Sequence, residues 1–234
     1  MFSTNWLFPI SLIFGLVFVL FNWFGDANYV SELNQEDGPI EYLTAFFYLL
    51  AFILCLVVIF KTKKKLVFPI TWVILCFVFL GEETSWFQRV FNYSVPAVEA
   101  VNVQKEFNFH NLDMFVGEKL FVDGKISQAG VINFFKSSQN IFRIGFFGYF
   151  FALPLLMFNK KVETLLLRIG YQKPGIKLLF VMLIIFVLSF VLAVSSPVLV
   201  KMAMAETREM LYAYFIFIYI GFYYWQRSRS ESIV

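Results

Sequence analysis

Residues 66–89 read LVFPITWVILCFVFLGEETSWFQR. Fifteen uncharged residues run into Gly81, two glutamates follow side by side, and Arg89 comes six positions later. An uncharged run of this kind predicts a membrane helix, because about 20 helical residues cross a hydrocarbon core of about 30 Å. A helix continuing to residue 88 would then carry carboxylates, a tryptophan, a glutamine and an arginine in its last turns. Charge inside a span is costly and faces the bundle interior or water. The stretch therefore predicts both a fold class and a place where polar chemistry collects.

The rest of the chain fits the same class. Of 234 residues 60% are hydrophobic, 21% aromatic and 15% charged, with 33 phenylalanines. A soluble domain carries about 25% charge. The reading is an all-α polytopic helical bundle of six transmembrane helices, one integral membrane domain over 1–234. The spans are about 6–24, 41–60, 66–88, 141–158, 178–200 and 208–225, with a long extracytoplasmic loop at 90–140 between spans 3 and 4. The first run lacks a basic leader and a small-x-small site after it, so it is read as a retained helix. Cys55 and Cys76 both fall in apolar runs and read as packing residues. No basic stripe with exposed aromatics supports nucleic-acid binding. The partners expected are membrane lipids and a membrane protein partner.

Orientation follows from lysine and arginine. Loops 61–65, 159–177 and 226–234 carry four, five and two of the 19 basic residues, and only two of the 16 acids, Glu163 and Glu231. Loop 25–40 has no lysine or arginine. The basic side is read as cytoplasmic, with both termini inside. Within it, 162–177 reads as a short interfacial helix or connector.

The acids gather at the opposite ends of the spans. Asp37-Gly38-Pro39 with Glu41 is helix-start chemistry: a cap, an early proline and acids at the positive helix end. Glu36 belongs to the same stretch, and Glu206 and Glu209 are likewise read at a helix start. Glu82 and Glu83 sit at a helix C-terminus, where the dipole disfavours them. With helical spacing, Glu82, Ser85, Trp86 and Arg89 share one face. The later segment NVQKEFNFHNL, 102–112, holds Glu106, Asn111 and His110, the one histidine of the chain. Extended or helical, it brings Glu106 and His110 to one side.

These residues, EDGPIEYLTA, GEETSWFQR and NVQKEFNFHNL, resemble a group of multispanning bacterial membrane proteins. That group has an acidic helix opening, an E-E-x-S-W-x-Q-R-like stretch and a later H-N. The resemblance covers roughly 31–112 and, more weakly, 206–213. It implies a multi-pass protein of the bacterial inner (plasma) membrane and no reaction. The multi-histidine zinc set of alkaline-ceramidase-type hydrolases is not matched by one histidine.

Three functions compete. In the first, the protein is an enzyme at the outer leaflet acting on a lipid or lipid-linked substrate. Glu82, Glu106 and His110 would be catalytic, and Glu41, Trp86, Gln88, Arg89, Asn111 and Glu209 would bind substrate. Paired carboxylates supply an acid and a base, and Arg89 suits a phosphate or carboxylate. Carboxylates with one histidine also form a donor set for Mg²⁺ or Mn²⁺, although no spacing here is a metal signature. In the second, the same charges make interhelical bridges in a structural or assembly subunit. An ion-coupled transporter is the third; the acids lie away from mid-membrane, where such proteins bind.

Overall fold

The computed structural model describes residues 6–35, 37–61, 66–115, 121–122, 125–126, 132 and 134–231, without the side chains of 89, 121–122, 125–126 and 227–231. Glu36 and residues 62–65 of the basic KTKKK loop lie outside the described residues. The regular structure of the described chain is helical apart from one two-residue pairing, Phe121–Val122 antiparallel to Lys125–Ile126, and a lone bridge between Asn102 and Leu112. It divides into two compact units, Met1–Phe77 with Lys161–Val234, and Val78–Lys160. The division falls inside the helix Val67–Glu83.

Three helices are long and apolar enough to cross a membrane: Leu7–Phe24, Pro39–Lys61 and Ile176–Val194. All three belong to the first unit. They surround the last helix, Val198–Glu231, whose residues from Met210 to Ile216 are buried without a break. A helix apolar and buried all round is the centre of its unit. The outer helices keep large side chains exposed, among them Ile13 (62%), Ile53 (44%) and Phe180 (63%). Close approach occurs where a side chain is missing: a Cβ on Gly15 would fall 2.2 Å from Ile185 Cδ1. Cys55 and Cys76 are buried, as expected for packing residues.

Several helix bounds differ from those read in the sequence. The fifth run ends at Val194 and not at 200. Ser195, Ser196 and Pro197 interrupt it, because proline has no N–H to continue the ladder. Val198 then opens a single 34-residue helix. Glu206 and Glu209 consequently sit about two and about three turns inside a helix and not at its start. The 141–158 run is a composite: Ser138–Phe147, a π turn at Gly148–Ala152, and Leu153–Leu156. Pro154 lies two residues past the π turn, and such insertions accommodate the bond proline cannot make. The Pro39 start is as expected: Glu41 Oε2 accepts the Asp37 N–H at 2.5 Å. Lys160–Arg168 forms a short helix with Leu165 and Leu167 exposed and Leu166 buried.

A polar triangle crosses the first unit. Asn22 Nδ2 donates to Thr207 Oγ1 at 2.6 Å, Thr207 Oγ1 to Asn34 Oδ1 at 2.9 Å, and Asn34 Nδ2 to Asn22 Oδ1 at 3.3 Å. All three residues are buried. Each would be costly there alone; closed on one another, they fix the first helix, Ala27–Leu33 and the last helix in register. Thr207→Val keeps the shape and opens the ring, so we expect a loss of about 1–2 kcal/mol of stability. Chemical unfolding in detergent micelles measures it, and an unchanged midpoint would show that the amides close without the hydroxyl.

Candidate functional site

The second unit, Val78–Lys160, holds the polar cluster. Its first element is the end of Val67–Glu83, which stops at Glu83. Thr84 Oγ1 and N both donate back to Leu80 O, at 2.8 and 3.1 Å. Then Ser85, Trp86 and Phe87 take φ values of 46°, 53° and 63° in succession. The chain makes one left-handed turn with no glycine in it. For L-residues that conformation costs roughly 1–2 kcal/mol each. A right-handed helix to residue 88, and the shared face of Glu82, Ser85, Trp86 and Arg89, are therefore corrected.

Specific bonds hold the turn. Trp86 Nε1 donates to Glu82 Oε1 at 2.7 Å. Tyr93 Oη donates to Trp86 O at 2.9 Å. Ser85 Oγ donates to Glu106 Oε2. The indole lies on Gly81, where a Cβ would meet its Cδ2 and Cε3 at 2.9 Å.

The second element is the excursion 101–113. Val103 N–H donates to Asn111 O at 3.0 Å and Asp113 N–H to Val101 O at 2.9 Å, closing its neck. Asn102 organises the interior: its Nδ2 donates to both O and Oδ1 of Asn108 at 2.8 Å. Asn108 Nδ2 in turn donates to Ser85 Oγ at 3.2 Å and Glu106 Oε2 at 3.3 Å. Ser85, Asn102 and Asn108 are all buried. None of the three was among the candidate site residues. The signal was present as two tripeptides of one pattern, VNV and FNF.

Glu82 joins the two elements. Its Oε2 accepts the backbone N–H of Phe109 at 2.8 Å and of His110 at 2.9 Å, and faces His110 Nδ1 at 3.2 Å. Backbone N–H and indole N–H groups only donate, so this carboxylate serves as an acceptor at both oxygens. The imidazole therefore carries its proton on Nδ1, and a neutral ring keeps its lone pair on Nε2. The His110 side chain is 36% exposed and that of Glu82 15%. The ring is the more exposed of the two.

The other candidates separate. Glu106 is bound to Ser85 and Asn108, so Glu106 and His110 take different partners. Gln88 uses both ends of its amide for positioning: Nε2 donates to Glu99 Oε1 at 2.8 Å and Oε1 accepts Phe107 N–H at 2.7 Å. Asn111 Nδ2 donates to Gln104 Oε1. The Arg89 backbone lies in the short helix Gln88–Phe91, and its side chain is outside the described residues. Glu41 and Glu209 belong to the other unit. Among the described residues no three of histidine, cysteine, aspartate and glutamate gather closely enough to hold a metal ion, so Glu82, Glu106 and His110 do not assemble a site for Mg²⁺ or Mn²⁺ here.

No protein-family model matches the sequence, and neither a curated protein nor a solved structure is significantly similar to it.

Gly81→Ala tests the coupling of indole and carboxylate. It gains about 1 kcal/mol of helix propensity. Against that it drives a methyl into the indole and breaks a charge-assisted bond worth about 1.5–3 kcal/mol. The expected result is net destabilisation with a displaced Trp86 indole N–H resonance. An unmoved resonance would show that the indole is not seated on Gly81.

Proposed function

We propose that the chain is a six-span membrane protein of the bacterial inner membrane with both termini cytoplasmic. We further propose that its Val78–Lys160 unit carries a proton-transfer centre at the outer face. Three helices apolar enough to cross a membrane and the uneven lysine and arginine content of the loops support the membrane reading, and the resemblance noted above supports the bacterial one. One observation carries the chemistry: Glu82 faces His110 Nδ1 while holding the backbone of His110 itself. A carboxylate on one ring nitrogen orients the imidazole and stabilises its charged form, leaving the other nitrogen to take and return a proton. His110 is the general base and acid, Glu82 is its positioning residue, Glu106 is the second carboxylate, and Arg89 meets an anionic group. A lipid or lipid-linked substrate suits a centre on an apolar protein.

A second reading has its own observation. Glu82 also accepts two backbone N–H groups and an indole, which is what an anchor between a helix end and a loop does. That reading makes the protein a structural or assembly subunit.

His110→Gln separates them. Protein in nanodiscs is incubated with bacterial lipid extract and lipid-linked phosphates, and consumption is followed by mass spectrometry. The enzyme reading expects wild-type turnover and a loss of about 10²–10⁴-fold in the variant, with the unfolding midpoint unchanged. Turnover absent from both proteins, or kept by the variant, with the midpoint likewise unchanged, favours the anchor, whose bond the backbone of residue 110 supplies.

A further inference from the structure

Segment 88–115 is built inside out. Among its described side chains the buried ones are the amides Asn102 and Asn108, 1% and 2% exposed. Its most exposed large apolar ones are Val90 (73%), Phe91 (72%), Met114 (67%) and Val103 (57%). The two repeated tripeptides show how. In VNV (101–103) the asparagine turns in and both valines turn out; in FNF (107–109) Asn108 turns in and Phe109 turns out. A segment facing water places its apolar set inward. In these two tripeptides the placement is reversed.

A single exposed apolar residue is ordinary on a soluble protein, but this reversal carries a cost for both kinds of side chain. Each large apolar side chain left in water forfeits about 1.5–3 kcal/mol of burial. Each buried amide has to be satisfied internally. Among acyl chains the first cost vanishes and the second becomes a requirement.

The backbone answers the same requirement. Irregular chain survives at membrane depth only where its polar groups are satisfied by protein. From Val98 to Leu112 the N–H groups find acceptors within the unit at short intervals. Val98, Glu99, Ala100, Val101, Asn102, Val103, Lys105 and Leu112 donate to carbonyls. Gln104, Phe107, Phe109 and His110 donate to the side chains of Asn102, Gln88 and Glu82. The chain enters this segment from an apolar helix whose Val78 is itself exposed.

We propose that segment 88–115 is immersed in a lipid leaflet. Val90, Phe91, Val103, Phe109 and Met114 lie among phospholipid acyl chains, and the exposed Asn92, Lys105 and Asp113 lie at headgroup level. The proposal rests on the membrane reading above and places His110 where a lipid, and not a water-soluble solute, arrives.

Two measurements test it. Unaltered protein in nanodiscs is irradiated with phospholipid carrying a mid-chain diazirine, and adducts are mapped by peptide. Adducts at Phe91, Val103 and Met114 are expected in yield of the same order as on the Ile176–Val194 helix. Spin labels are then placed singly at 91, 103 and 105; Cys55 and Cys76 are buried and do not compete. Labels at 91 and 103 should relax more with oxygen than with a water-soluble nickel chelate, and the label at 105 the reverse. Adducts on the helix with none on 88–115, and nickel access at 91 and 103, overturn the proposal and leave the membrane reading standing. Adducts on neither overturn both. Sites 91 and 103 shielded from lipid and nickel alike mean a covering protein, a second copy or a partner, and overturn it too.

Discussion

The Glu82 carboxylate is the constraint on which the second unit depends. An ionised carboxyl only accepts, and Glu82 takes four donors: the Trp86 indole at Oε1, and two successive backbone N–H groups and the His110 ring at Oε2. An acid at a helix C-terminus is locally unfavourable. Here it is stabilised from outside the helix, by chain more than twenty residues further on. A residue that breaks a local rule for a distant gain marks a site where fold and chemistry are set together.

The left-handed turn belongs to the same arrangement. Three L-residues in that conformation cost roughly 3–6 kcal/mol. The bonds from Trp86 to Glu82, from Ser85 to Glu106 and from Tyr93 to Trp86 O, at roughly 1–3 kcal/mol each, are of the same order. The turn thus stands only while those partners are in place. It reverses the chain so that Ser85 and Glu82, which a continuing helix would set on one face, bond to different residues of the 101–113 excursion. Strain of this kind, held by several specific contacts, is typical of functional sites.

What the sequence made legible follows from this. The apolar runs and the Pro39 start were readable because each depends on local composition or spacing. Polar residues at apolar ends are conspicuous, which is why Glu82, Trp86, Glu106 and His110 stood out as candidates. The stop at Glu83 was not readable. Left-handed turns are ordinarily signalled by glycine or asparagine, and Ser85, Trp86 and Phe87 are neither. The break at Ser195–Pro197 was hidden because apolar residues continue on both sides, and Glu206 and Glu209 were misplaced as a result. The Asn22–Asn34–Thr207 triangle closes over more than 170 residues and has no local sign. Gln88 and Asn111 were read as ligand-binding from their chemistry, whereas the bonds they make are to Glu99, Phe107 and Gln104.

The engagement of Glu82 also decides how roles divide. A carboxylate that takes four donors from the protein itself and is 15% exposed is held in place by them. It positions, and the reactive position passes to the group it positions. That group is one imidazole, held at its backbone and at Nδ1 by the same acid, with the larger share of exposure. Asn108 and Ser85 fix Glu106 separately, so a second carboxylate is held in the same unit without competing for the ring. The anchoring and the proton-transfer readings therefore share one geometry. An anchor needs Glu82 and tolerates any residue at 110 that keeps its N–H, because the backbone supplies the bond. A proton-transfer centre needs the ring as well, and no other histidine in the chain can replace it.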